Sequence, residues 1–357
     1  MKTASDRIRL FSLDGLPMRT FHLAWLMFFI CFFGWFGLAP LMPVIRVDLG
    51  LTHGQVGNIL IASVSSTIVA RLVVGRCCDI WGPRLTAVWL LVVGSIPVLL
   101  VGLARDYTSF LLFRLAIGVV GASFVVTQFH MSLMFGAKVR GTAGAIVGGW
   151  GNLGGGATAW RLAMVVPAVM MWVVAFLYYR YTADTPAGNS RDLSGSPGVG
   201  GLRGWLSAAG DRRVLALTLA YAACFGMEIT FNNAAALFFA DNYGLSGRQA
   251  GLYVGVFGSL NLFARALGGI CSDKAGARWG MRGKGILLGA ALLFEGLALI
   301  AFAHAGGLAA AVFLMLLTGL FLKMANGAVF GIVPFINGRH EGSVSGLVGA
   351  EKVPGQS

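Results

Sequence analysis

Residues Gly50–Gly82 read GLTHGQVGNILIASVSSTIVARLVVGRCCDIWG, and 194 positions further on Gly244–Gly276 read GLSGRQAGLYVGVFGSLNLFARALGGICSDKAG. Eleven of the 33 aligned pairs are identical, against about two expected by chance at this composition. The matches include Gly50/Gly244, Gln55/Gln249, Ala70/Ala264, Arg71/Arg265, Gly75/Gly269, Asp79/Asp273 and Gly82/Gly276. Each copy is an apolar run of about twenty residues, the length that crosses a bilayer as a helix, closed by a glycine-rich polar turn. The chain is therefore built twice over from membrane helices.

Composition agrees. Hydrophobic residues make up 57% of the 357 positions and charged residues 11%, against roughly 25% in a soluble domain. So few charges cannot solvate a surface of this size, and the 52 glycines sit inside apolar runs, where membrane helices pack closely. The net charge of +13 arises from short basic clusters between apolar stretches, which membrane topology explains and nucleic-acid binding does not. Cys31, Cys77, Cys78, Cys224 and Cys271 lack metal-ligand spacing and read as small apolar fillers. No cofactor or metal is expected. No nucleophile, base and orienting group cluster at a recognisable spacing, so the chain does not read as an enzyme.

Apolar runs predict spans near 21–45, 55–77, 84–104, 109–135, 141–157, 160–181, 214–240, 249–271, 284–304 and 308–336, about ten in all. Counting basic residues on either side puts both termini in the cytoplasm, with no cleaved leader. The expected organisation is a cytoplasmic tail over 1–20, a first helical half over 21–181, a cytoplasmic linker over 182–213 and a second half over 214–357. Two parallel repeats joined in this way are the architecture of the major facilitator fold, with substrate held at mid-membrane between the halves.

Arg71 and Arg265 lie deep in the two repeat-related spans. An intramembrane arginine costs about 2.5–3.5 kcal/mol on insertion scales, so it needs a partner or a wet cavity. Equal costs at repeat positions predict two planar donor forks facing one small oxyanion across the membrane centre. The alternative is pairing within each half. No acid stands in an apolar run of the first half to meet Arg71, whereas Glu228 and Glu295 could reach Arg265.

The turn Gly75-Arg-Cys-Cys-Asp79-Ile-Trp-Gly82-Pro-Arg84 resembles the loop signature of major facilitators, and Gly269, Asp273 and Gly276 repeat it. There the glycines let helix ends approach, and the Asp caps a helix N-terminus or pairs with an arginine. The segment Gly149-Trp150-Gly151-Asn152-Leu153-Gly154-Gly155-Gly156 is similar to the nitrate signature of the nitrate/nitrite porter family. So are Phe225-Gly226-Met227-Glu228 and Gly331-Ile332-Val333-Pro334-Phe335, and the resemblance covers most of residues 21–350.

The resemblance implies transport of nitrate or nitrite, serving nitrate assimilation, with Arg71 and Arg265 gripping the anion, Asn152 donating to it, and Phe124, Tyr221 and Phe225 packing on its faces. It implies proton-coupled symport, with Glu228 or His130 as the carrier, and an accessory membrane protein as a partner; the expected location is the plasma membrane, with a plastid envelope as the alternative. The chain also departs from the family pattern. Thr158 runs directly into Ala159-Trp160-Arg161, which implies a shortened fifth span, and after Glu351 the second signature gives way to Lys352-Val-Pro-Gly-Gln-Ser357, which implies that spans eleven and twelve are absent. Two other readings follow: a non-transporting fragment that partners a full-length carrier, and a facilitator of another small anion.

Overall fold

The computed structural model describes residues 4–136, 139–151, 164–189 and 211–336. The described residues form α1 Gly15–Phe36, α2 Met42–Asp48, α3 His53–Trp81, α4 Pro83–Leu100, α5 Tyr107–Ile117, α6 Ser123–Met134, α7 Arg140–Gly151 and α8 Val165–Tyr181. They continue with α9 Arg212–Tyr243, α10 Gly247–Ser259, α11 Ala264–Ala303 and α12 Leu308–Phe330. By length and composition seven of the described helical runs can cross a membrane, Gln249–Ala303 counting as one, and Val165–Tyr181 is a shorter apolar helix. Their outward faces are apolar, as with Trp89, Val93 and Ile96 on α4 or Leu293, Leu297 and Ile300 on α11. Hydrocarbon is the solvent that tolerates such a surface.

The repeat is visible in the local physics as well as in the letters. Gly50 and Gly244 both take left-handed φ values, 60° and 63°, which favour glycine. Two residues on, Thr52 and Ser246 each close a capping box with Gln55 and Gln249, so the side chains serve the first orphan amides of α3 and α10. At their far ends the copies diverge. α3 stops at Gly82, φ 81°, whereas α11 runs on through Gly276 and turns at Gly280, φ 60°.

Three of the apolar runs are broken in the structure. The run 21–45 is split because Pro40 and Pro43 stand in the first turns of a 3-10 turn and of α2, ending α1 at Phe36. The run 249–271 is interrupted by a 3-10 turn at Leu260–Leu262, and Gly118–Ala122 interrupts 109–135 in the same way.

Helices up to α8 pack chiefly on one another, as do those from α9 onward, and α7 touches both sets: α1 and α6 on one side, α11 and α12 on the other. Glycine permits this. A Cβ at Gly269 would lie 2.6 Å from that of Ala145, and one at Gly148 would lie 3.0 Å from Arg265 Nη1.

Candidate functional site

Tyr221 and Phe225 are four residues apart on α9 and share one face. Their rings stack at 4.9 Å and 9°, and Phe124 of α6 lies nearly parallel to both, at 5.9 Å from Tyr221 and 6.3 Å from Phe225. Phe330 of α12 meets Phe124 and Tyr221 edge-on, at 4.6 and 5.0 Å. Arg71 of α3 sits over this stack, its guanidinium carbon 4.7 Å from the Phe225 ring and 5.9 Å from that of Phe124. Arg265 of α11 lies 5.5 Å from the same Phe124 ring. Both arginines are buried, at 3% and 1% exposure. Arg71 and Arg265, expected from the repeat, and Phe124, Tyr221 and Phe225, expected from the resemblance, thus lie together in one buried cluster.

Below Phe225 on α9, Glu228 anchors a second layer. Its carboxylate accepts from Arg265 Nη2 at 2.8 Å, Lys323 Nζ at 2.8 Å, Asn326 Nδ2 at 2.7 Å and Asn261 Nδ2 at 3.1 Å. Of the two acids within reach of Arg265, Glu228 is the one that pairs with it. Cys224 Sγ donates to Asn326 Oδ1, 3.1 Å away, so that amide is engaged on both atoms. Lys323 is fully buried, 4.2 Å from the centre of the Phe257 ring. Sequence reasoning missed Lys323, Asn261 and Asn326, although a lone lysine in the apolar run 308–336 carries the same cost as an intramembrane arginine. Arg114 was missed for the same reason: it is fully buried on α5, with Nη1 donating to Trp35 O at 2.7 Å.

Residues 24–350 match the model of the Major Facilitator Superfamily. The chain is similar to the high affinity nitrate transporter 2.5 of Arabidopsis thaliana, 37% identical over 375 residues, covering 96% of this chain and 73% of that one. It is also similar to the nitrate/nitrite transporter NrtP of Picosynechococcus, 26% identical over 438 residues, covering 92% and 81%. The chain belongs to the nitrate/nitrite porter family of the major facilitator superfamily. Among solved structures a human organic anion transporter shares the fold with a TM-score of 0.70, at 16% identity over 94% of this chain and 90% of that one. Membership also settles the reaction class: this is a carrier fold, not an enzyme.

In this porter the loop residues bind helix ends together rather than lining the ring stack. Gly82 carries φ 81°, and a Cβ there would collide with the Asp184 carboxylate. That carboxylate accepts from the Arg84 backbone amide at 2.9 Å, capping α4, while Arg84's guanidinium donates to Tyr179 O and Asn189 Oδ1. Gly75 and Asp79 lie in the last third of α3. In the second copy Asp273 accepts from both the amide and the hydroxyl of Thr142, in the first turn of α7, at 2.9 and 2.8 Å. Of the two expected roles for this acid, the helix N-terminus is the one Asp273 takes, and its ionic partner is Lys284, at 3.0 Å, rather than an arginine. Gly276 leaves room for the Lys284 stem, which a Cβ would meet at 2.4 Å.

His130 stands apart from the arginines' contacts. Its Nε2 meets Ala183 O at 2.8 Å and its Nδ1 meets the Tyr178 hydroxyl at 2.6 Å. A carbonyl can only accept, so Nε2 carries the hydrogen. Gly149 and Gly151 fall in α7. Asn152, Gly154 and Gly155 lie outside the described residues.

Proposed function

We propose that this porter carries nitrate, and nitrite, across a membrane by alternating access, coupled to protons and serving nitrate assimilation. The observation that supports it is the convergence of Arg71 and Arg265, from repeat-related positions, on one buried aromatic ring. A planar monovalent oxyanion matches that setting. Its edge takes charge-assisted hydrogen bonds from two guanidinium forks, and its flat faces lie against Phe124, Tyr221 and Phe225. A tetrahedral anion offers no flat face to these rings. Asn152 adds an amide donor in this reading.

The two halves, 21–181 and 214 onward, rock about this site with 182–213 as the cytoplasmic linker, and the porter works in the plasma membrane with cytoplasmic termini. Glu228 is the counter-ion whose hold on Arg265 the arriving anion loosens. His130, engaged by Tyr178 and Ala183, serves the packing of α6 on α8 in this reading.

The test is nitrate uptake in cells lacking their own carrier. Uptake that appears with this chain and disappears in both Arg71→Ala and Arg265→Ala is the expected result. Uptake of a competing anion such as sulfate or an organic acid, with nitrate ignored, would overturn the substrate. A chain that reaches the surface and moves no anion would favour the partner-fragment reading.

A further inference from the structure

The second layer of the site has a charge imbalance. Among the described residues the buried cations here are Arg71, Arg265 and Lys323, and Glu228 is the carboxylate bonded to two of them; Glu295, buried but without an ion pair among these residues, is taken as neutral. With all four ionised the net is +2, and a bound monovalent anion still leaves +1. Charge held out of water is costly, so the state of the site should change as the anion comes and goes.

The groups differ in what a change of protonation breaks. Guanidinium groups do not release protons in proteins. Glu228 accepts from four donors within 3.1 Å, two of them cationic, and a proton on it would strand both. Lys323 is different. A neutral amine keeps two N–H donors, so its hydrogen bond to Glu228 survives in either form, while the Arg265–Glu228 pair stays intact. Around Lys323 stand Glu228 on α9, the Phe257 ring on α10, and Arg265 on α11. Glu295 on α11 also interacts electrostatically with Glu228, and its Oε2 has no hydrogen-bond partner among the described residues. Helix α7 brings only Arg140, at its start, bound to Phe135 O.

We propose that Lys323 carries the proton that accompanies the anion. In the empty carrier its Nζ is an amine. As the anion seats against Arg71 and Arg265, Nζ takes one proton from the same side, and it returns that proton to water when the anion leaves on the other side. One N–H bond forms and later breaks, and nothing is oxidised or reduced. The site then carries +1 both empty and loaded, so neither form pays more than the other to cross. This rests on the anion-transport reading above.

The test uses purified full chain in proteoliposomes with nitrate as the probe. Isotopic nitrate counterflow at equal pH reports anion binding and alternation, and a trapped pH dye reports proton entry driven by a nitrate gradient. The wild type should do both. Lys323→Gln and Lys323→Arg should lower the ratio of protons moved to nitrate exchanged by about tenfold or more, whereas Glu295→Gln keeps the wild-type ratio. A wild-type ratio in either lysine variant, or a ratio lost in Glu295→Gln instead, overturns the proposal. So does loss of counterflow together with proton entry in both lysine variants, because that marks a structural role. A wild type that counterflows nitrate without proton entry sinks this inference alone; one that does not counterflow nitrate sinks the substrate reading beneath it.

Discussion

Arg71 and Arg265 differ in company, and the difference sets separate expectations for each. Arg71 lies against rings, so its value to an anion rests on the planar fork that lysine lacks. Arg71→Lys, which keeps the charge, should raise the KM for nitrate uptake about ten- to hundredfold, the equivalent of one charge-assisted bond of about 1.5–3 kcal/mol. Arg265 answers to Glu228 first. Glu228→Gln leaves Arg265 buried without a counter-charge and weakens the acceptor of Lys323 Nζ, a cost of about 3–5 kcal/mol, and should lower the melting temperature in detergent as well as abolish uptake. Adding Lys323→Met to Glu228→Gln should restore part of that melting temperature, which a double-mutant cycle would read directly. The arginines were legible in the sequence because the same expense appears twice at one offset. Lys323, Arg114 and Asn261 were not, because each occurs in one copy only: their counterparts at the 194-residue offset are Phe129, Leu308 and Thr67.

At the scale of helices, close approach decides. A Cβ at Gly268 would lie 2.1 Å from Met324 O, and one at Gly327 would lie 2.1 Å from Arg265 O, so α11 and α12 touch backbone to backbone beside the site. Gly268→Ala or Gly327→Ala should destabilise the purified protein by about 1–3 kcal/mol and displace Arg265. Gly296→Ala on the same α11, where a Cβ meets nothing within 4 Å, should be neutral or mildly stabilising in the same thermal assay. Polar ends behave differently. Asp106 caps α5 by accepting from the Ser109 amide at 2.8 Å, and the hydrogen bonds from Ser109 hold its carboxyl below the ordinary aspartate range. A depressed folded-state value means that its contribution is complete above the unfolded value and is lost as pH falls through the folded one. Hydrogen exchange at the Ser109 amide should quicken at neutral pH in Asp106→Ala, and in the wild type only in strong acid. The capping boxes of Thr52/Gln55 and Ser246/Gln249 were not read from the sequence, where Gln55 and Gln249 stood only as a repeat identity. Nor were the 3-10 turns, because Gly118–Ala122 and Leu260–Leu262 keep the hydrophobicity of the helices they interrupt.

For the molecule as a whole, a polar link among the described residues joins the two sets of helices at the loop motif: Asp273 of α11 holds the first turn of α7. Beside it the Gly269 backbone leaves no gap against Ala145, which is 2% exposed. Asp273→Asn weakens a charge-assisted contact by about 1 kcal/mol, enough to shift a two-state equilibrium about fivefold. Maleimide labelling of Ala145→Cys should therefore be slow in the parent and about fivefold faster with Asp273→Asn added; an unchanged rate would mean that the two sets do not part along this seam. The fold class and family were readable from the repeat and the glycine–asparagine signature. This inter-set bond was not, since the motif offers an acid and glycines without naming Thr142 or Lys284 as their partners.

The interruption at Leu260–Leu262 has a mechanical consequence. A straight rod passes twist along its whole length, whereas a rod with a joint loses it there. Asn261 sits in the joint and Arg265 just beyond it, both tied to Glu228. The arm made by Gly247–Ser259 meets the anchored side at that joint, so a change in the arm's direction need not break the bonds that Asn261 and Arg265 make to Glu228.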